Sequence, residues 1–135
     1  MWQTISYVST ANQSLTNAEV NELFKFVKLN NDNQNITGIL MYSDGNFFQV
    51  LEGKPNLIQD LYKKILLDTR HYNVIKIFDR AITNCSFSEY HSSFKVLGQK
   101  YDHKELDHFL EEEKFHNPDN YKNISYLINQ FMKLS

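Results

Sequence analysis

The stretch Ile36–Gly53, ITGILMYSDGNFFQVLEG, holds two apolar runs separated by Asp44-Gly45. That dipeptide favours the positive φ angles of a tight two-residue turn, so the runs are expected to fold back on each other as a β-hairpin. Opposing Ser43 with Asn46 puts Tyr42 opposite Phe47, Leu40 opposite Gln49 and Gly38 opposite Leu51. Side chains alternate along a strand, so Phe47, Gln49 and Leu51 share one face. An uncharged amide is thereby set into an apolar surface, and burying it without a partner costs about 1–3 kcal/mol. Gln49 therefore needs a hydrogen-bonding partner that the local pattern does not supply. On pattern alone, water or backbone near a strand end is the expected partner. Gly38 removes a side chain from the same face and is expected to leave room there.

A chain of 135 residues suits one domain with a small appendage, and 41% hydrophobic and 14% aromatic content argues against disorder. The formal net charge of -2 gives no electrostatic reason to expect a nucleic-acid partner. Cys85 is the single cysteine, so there is no intrachain disulfide and no cysteine cluster for zinc. No apolar run approaches the roughly 20 residues that span a bilayer. The N-terminus enters a strand-like pattern without a basic, apolar leader. These features lead to the expectation of a soluble, cytoplasmic protein with no membrane partner.

Trp2–Ser9 reads as a first strand, with Ile5 and Tyr7 on one face. Thr16 and Glu19 form a capping-box pattern, and Leu15 with Val20 a hydrophobic staple, ahead of the helical spacing Val20, Leu23, Phe24, Val27. The polar stretch Asn30–Asn35 ends that helix and leads into the hairpin. Pro55 suits the first turn of a second helix with apolar positions Leu57, Ile58, Leu61, Tyr62, Ile65 and Leu66. Asn73–Thr83 reads as a fourth strand and Ser92–Leu97 as a short fifth. The order βαββαββ is an α+β, ferredoxin-like pattern with two helices on one sheet face. After Gly98 the pattern is helical: Leu106, Phe109 and Leu110 mark one amphipathic helix, and Asn117-Pro118 opens another with the stripe Ile124, Leu127, Ile128, Phe131. The chain thus divides into 1–98 and a helical extension, 99–135, expected to cover the sheet or to meet a partner. Its apolar stripes also make a homo-oligomer credible.

Taken in order, QTISYVS with Tyr7, the first helix, LNNDNQNITGIL, DGNFFQVLEG and LYKKILLDTRH closely resemble the BLUF family, blue-light sensors that bind a flavin. The resemblance runs from about Trp2 to about Leu97 and is most specific in NITGILMYSDGNFFQVLEG and in DTRH, Asp68–His71. It implies a ferredoxin-like domain holding FAD non-covalently between the two helices and the sheet. It also implies a light-driven rearrangement of hydrogen bonds that signals to a protein partner, without enzymatic turnover.

The resemblance assigns Tyr7 as the electron and proton donor and Gln49 as the switch that rotates, tautomerises or both. From its strand alone Tyr7 reads as an ordinary packed aromatic with a satisfied hydroxyl; the surrounding matches reverse that reading. Asn31 matches the asparagine that bonds the polar edge of the flavin, with Asn30 as the alternative register and a helix cap as the alternative role. Lys64 is placed by the resemblance beside the ring, and Asp68, Arg70 and His71 along the ring or ribityl side; charge pairing at a helix end is the alternative for these. Leu23, Val27 and Ile65 are candidates for apolar contact with the ring, or simply for core packing.

The segment CSFSEYHSSF departs from the family pattern. Phe87 and Phe94 keep the frame, Cys85 stands near the usual arginine, and Tyr90 and Ser92 occupy the signal-transmission positions usually held by tryptophan and methionine. These departures keep open a BLUF-like interaction domain that binds flavin weakly or does not photocycle. A small acylphosphatase-like hydrolase is a further alternative, but the phosphate loop and arginine it requires are not visible in Tyr7–Leu15.

Overall fold

A computed structural model describes residues 2–82, 94–98, 103–116 and 118–133 of the chain, and in it Asp44 and Gly45 both carry positive φ, 51° and 81°. Two consecutive left-handed residues match the twist of the flanking strands, which is why Asp-Gly closes this hairpin. The strands are β2, Thr37–Ser43, and β3, Asn46–Gly53, paired in the expected register: Ser43 with Asn46, Tyr42 with Phe47, Leu40 with Gln49 and Gly38 with Leu51. Helix α1, Asn17–Asn33, starts at the capping box, where Thr16 Oγ1 accepts from Glu19 N at 3.2 Å and Glu19 Oε1 accepts from Thr16 N at 3.0 Å. Helix α2, Pro55–Leu67, opens on Pro55, whose ring fixes a helical φ where no amide is needed.

Strand β1 spans Trp2–Ala11 and β4 spans His71–Ile82, so each extends two residues beyond its expected bound at the end where they meet. Thr10 pairs with Tyr72 and Ala11 with His71, past a register shift between Val8 and Thr10. Asn73 takes φ 53° opposite that shift, and this left-handed residue absorbs the irregularity within the strand. Strand β5, Lys95–Leu97, runs parallel to β2; Thr83 and Ser92, the outer ends of the expected fourth and fifth strands, lie outside the described residues. The sheet order is β4-β1-β3-β2-β5, with β1 and β3 in its middle.

Alternation along the central strands divides the core in two. Ile5, Tyr7, Phe47 and Leu51 pack with Val20, Leu23 and Phe24 of α1 and Ile58 and Tyr62 of α2. Ile39, Met41, Phe48 and Val50 point the other way, onto helices α3, His103–His116, and α4, Pro118–Lys133. Leu106, Phe109, Ile124, Ile128 and Phe131 supply that second layer, so the tail covers the sheet. No helix among the described residues is long and apolar enough to cross a membrane.

Gly38 has a different reason from the one the sequence suggested. Its φ is 138°, and a Cβ there would lie 1.9 Å from the Val50 carbonyl oxygen and 3.3 Å from the Phe94 ring. The glycine permits close approach of β3 backbone and Phe94; it does not open space beside Gln49. Gly38→Ala is therefore expected to destabilise the fold by roughly 3 kcal/mol or more, through combined strain and overlap. Gly45→Ala, where a Cβ meets nothing within 4 Å, is expected to lose only the left-handed penalty of about 1–2 kcal/mol. Urea unfolding of the two variants checks this; equal losses would contradict the close-approach argument.

Candidate functional site

Tyr7 and Gln49 are Cα partners on the two central strands, β1 and β3. Both are buried, and the Tyr7 hydroxyl donates a hydrogen bond to Gln49 Oε1. The partner missing from the local pattern thus arrives from a neighbouring strand 42 positions away in sequence. Burial holds the Tyr7 phenol far above its ordinary pKa, and the negative charge of Asp68 adds to this. The hydroxyl therefore keeps its proton and donates it to the amide oxygen, an orientation that leaves the amide nitrogen for other contacts.

This pair sits in the wall of a cavity of about 300 Å³ between the sheet, α1 and α2. Tyr7, Leu40, Phe47 and Gln49 line it from the sheet, and Leu23, Phe26, Val27, Asn30 and Asn31 from α1. Leu61, Lys64 and Ile65 line it from α2, followed by Asp68, Arg70 and His71. Every expected cavity residue within the described chain is brought together here. Tyr90 and Ser92, the expected relay residues, and Cys85 lie outside the described residues.

Asn31 is buried at the end of α1, and its Nδ2 has no hydrogen-bond partner among the described residues. Its backbone oxygen is engaged, accepting from Gln34 N at 3.2 Å and Ile36 N at 2.9 Å as the helix ends. A buried amide nitrogen left unpaired is expensive, so its place on a cavity wall points to a ligand acceptor. Asn30 also lines the cavity but is half-exposed. Apolar walls, three amides and a phenol suit a flat heterocycle with a polar edge, and a flavin ring has that chemistry. The residues present fit such a group.

Asp68 caps α2 in extended conformation, φ -75° and ψ 121°. Having left the helix, its carboxylate does not follow the four-residue spacing to Lys64 but grips Arg70, with Nε 2.9 Å from Oδ1 and Nη2 2.6 Å from Oδ2. This fork holds the Asp68 carboxyl below the usual carboxylate range. Lys64 is exposed at the cavity wall. His71 has both ring nitrogens engaged: Nε2–H donates to the Ile65 carbonyl at 2.7 Å, and Nδ1 meets the Ser9 hydroxyl at 2.7 Å. It is a braced part of the wall, tying β4 to β1 and α2.

Sequence reasoning missed Phe26, Leu40, Phe47 and Leu61 as cavity residues. Leu40 and Phe47 were recoverable, because one faces Gln49 and the other shares its side of β3. Phe26 lies off the apolar stripe of α1 and gave no signal. Also missed was the grip of α1 on the start of β5: Asp32 Oδ1 accepts from Phe94 N at 2.7 Å, and Lys28 Nζ donates to Phe94 O at 3.0 Å.

A family model described as sensors of blue-light using FAD, BLUF, matches residues 2–93. The photoactivated adenylate cyclase subunit alpha of Euglena gracilis is 35% identical over 75 residues, 56% of this chain and 7% of that protein. The blue light- and temperature-regulated antirepressor BluF of Escherichia coli (strain K12) is 30% identical over 77 residues, 57% of this chain and 19% of that protein. Among solved structures, the photo-activated state of BlsA matches with a TM-score of 0.67 and 28% identity, over 96% of this chain and 94% of that one. The chain therefore spans only a small part of the two curated relatives.

The Asp68–Arg70 fork has a pH signature. The folded Asp68 pKa is lowered, so the stability it contributes is present above the unfolded carboxyl value of about 3.9 and is lost as pH falls through the lower folded value. Because the pair is partly exposed, its contribution is expected to stay within about 1 kcal/mol. Melting temperatures of the native protein and Asp68→Asn should differ at neutral pH and converge in acid. A constant difference down to the acid limit would rule the fork out as its source.

Proposed function

The chain belongs to the BLUF family, sensors of blue light that bind a flavin, and we propose that it binds FAD non-covalently and senses light through Tyr7 and Gln49. The carrying observation is the buried Tyr7–Gln49 hydrogen bond in the wall of a cavity where the Asn31 amide nitrogen has no partner. When bound, the flavin supplies blue-light absorption and, once excited, a strong demand for an electron. Tyr7 is the group able to give up an electron together with its Oη proton, and Gln49 Oε1 is the atom placed to take that proton. Gln49 can then turn about its terminal bond, exchanging Oε1 and Nε2 between phenol and cavity. A phenol both donates and accepts, so both amide orientations are satisfiable and the pair forms a two-state element.

Asn31 would hold the polar edge of the ring through its unpaired Nδ2–H, Lys64 would set positive charge beside it, and Leu23, Val27 and Ile65 would supply apolar contact. Asp68, Arg70 and His71 would line the ring or ribityl side. The output is a population shift passed through Tyr90 and Ser92 into strand β5 and the tail helices, changing affinity for another protein. Binding is the output here; the chain performs no turnover of its own. A photoactivated cyclase and an antirepressor among the relatives support a protein effector; the tail stripes, which had made a homo-oligomer credible, are taken up by the sheet and give it no support. A cytoplasmic location suits such a partner.

The absorption spectrum of purified protein before and after blue light tests this reading. A yellow protein whose flavin band moves reversibly to the red is expected. Gln49→Leu and Tyr7→Phe should each stay yellow and lose that shift. A yellow native protein with no shift would favour the interaction-domain alternative, and a protein still colourless after added FAD would end the flavin reading.

A further inference from the structure

We propose that the reverse side of the sheet carries a docking groove, between β4 and α4, that takes an uncharged, aliphatic helix face of a protein partner and reads the Tyr7–Gln49 pair from behind. The groove stands on its own geometry; its response to light rests on the flavin reading. Its space is about 490 Å³, against about 300 Å³ for the cavity. Helices α3 and α4 close over β2, β3 and β5, where Ile39, Met41, Val50 and Leu97 are buried, whereas Val8 of β1 and Phe78 of β4 are only partly covered. β4 is the outermost strand of the described sheet on that side, and its Ile75 and Ile77 are 62% and 38% exposed. Both line the groove beside Val8 and Phe48, with Leu127 and Phe131 of α4 as the facing wall. The register shift between Ser6 and Tyr7 leaves Ile77 as the extra residue of β4, and this bulge adds one more apolar side chain to the groove.

Three features choose the occupant. Among the described residues that line the groove none is charged, so a charge brought into it would be buried unpaired, and the matching face is uncharged and aliphatic. The uncovered strip is two strands wide, about 10 Å, which is the width of one helix. At the hairpin end three carboxamides, Asn46, Asn73 and Gln130, border the apolar floor. Carboxamides bond the backbone groups that the last turn of a helix leaves unsatisfied. The floor also explains why a partner here would sense the site. Val8 pairs with Phe48 in the row next to Tyr7 and Gln49, and Ile75 continues that row on β4. Alternation turns Val8 and Phe48 to the groove and Tyr7 and Gln49 to the cavity. A shift of the photoactive row therefore reshapes the surface on which the partner helix lies.

The test follows fluorescence anisotropy of a labelled synthetic helix of about three turns, with leucines along one face, added to the full chain carrying its flavin, in the dark and under blue light. Saturable binding is expected, and a control helix with lysines on the leucine face should bind about tenfold more weakly. Ile75→Asp should weaken binding about tenfold and leave the red shift of the flavin band intact, while Ile75→Leu should bind as the native chain does. Affinity should differ about fivefold between dark and light. No saturable binding, or an Ile75→Asp variant that binds like the native chain, overturns the groove. Binding equal in dark and light, with the red shift present, overturns the coupling to Tyr7 and Gln49. A dimer in sedimentation that Ile75→Asp dissolves assigns the groove to a second copy and overturns the partner helix. A native chain with no red shift fails the flavin reading instead, and binding in the dark then decides the groove. Because Ile75 is mostly exposed, its substitution is not expected to unfold the chain, and circular dichroism of each variant separates a folding defect from a binding one.

Discussion

One hydrogen bond, from the Tyr7 hydroxyl to Gln49 Oε1, sets the terms for the rest of the site. Two polar groups are buried on the apolar face of the two central strands, where water cannot satisfy them. Each is tolerable only because the other is opposite, and opposition depends on the β1–β3 register. A one-residue slip would send both side chains to opposite layers and leave two buried polar groups unpaired. The Asp-Gly turn fixes β2 against β3, and at the open end of the β1–β3 pair Ala11 N donates to the Gly45 carbonyl at 2.8 Å, tying that turn to β1. The chemistry of the site and the specification of the sheet are therefore one constraint.

The same alternation links the cavity to the tail. Gln49 faces α1 and α2, while its neighbours Phe48 and Val50 pack in the layer with α3 and α4. From the tail face, Ser6 Oγ donates to the Gln49 carbonyl at 3.0 Å. A change in the Gln49 side chain that alters its backbone is thus felt in the second core without an intervening loop. A parallel connection runs through α1: Asn31 lines the cavity, and Asp32, next in sequence, holds the Phe94 amide just ahead of β5. Packed layers transmit small displacements because they have little free volume, so both routes lead from cavity to sheet edge and tail by contact alone.

Local chemistry was legible in the sequence where the signal is short-range. The hairpin and its register followed from Asp44-Gly45 and alternation; both helix starts followed from Thr16/Glu19 and Pro55. The tail stripes were visible, but which surface they cover is a tertiary fact, since Ile124 and Ile128 look the same docked on this sheet or on a partner. The demand that Gln49 have a partner could be read from physics, whereas naming Tyr7 needed the family resemblance, because strand pairing between positions 7 and 49 has no local signature. The orphaned Asn31 nitrogen, the Asp68–Arg70 fork and the inward reach of Phe26 depend on where α1 and α2 meet, and no periodicity encodes that.

The electrostatics of the cavity also constrain how Tyr7 can react. Burial and the nearby Asp68 carboxylate both oppose the phenolate, so the proton does not leave first in the resting protein. The same negative charge favours removal of an electron from the ring, since it stabilises the positive charge left behind. An oxidised phenol is strongly acidic, and the buried hydroxyl has one hydrogen-bonded acceptor, Gln49 Oε1. Were the ring to lose an electron, the proton would pass to the acceptor it already faces, and the Gln49 amide could answer by reversing its donor and acceptor ends. Asp68 is itself neutralised at longer range by Arg70, which tempers its hold on the phenol. The fork at the end of α2 thus sets how much negative charge the Tyr7 phenol meets across the cavity.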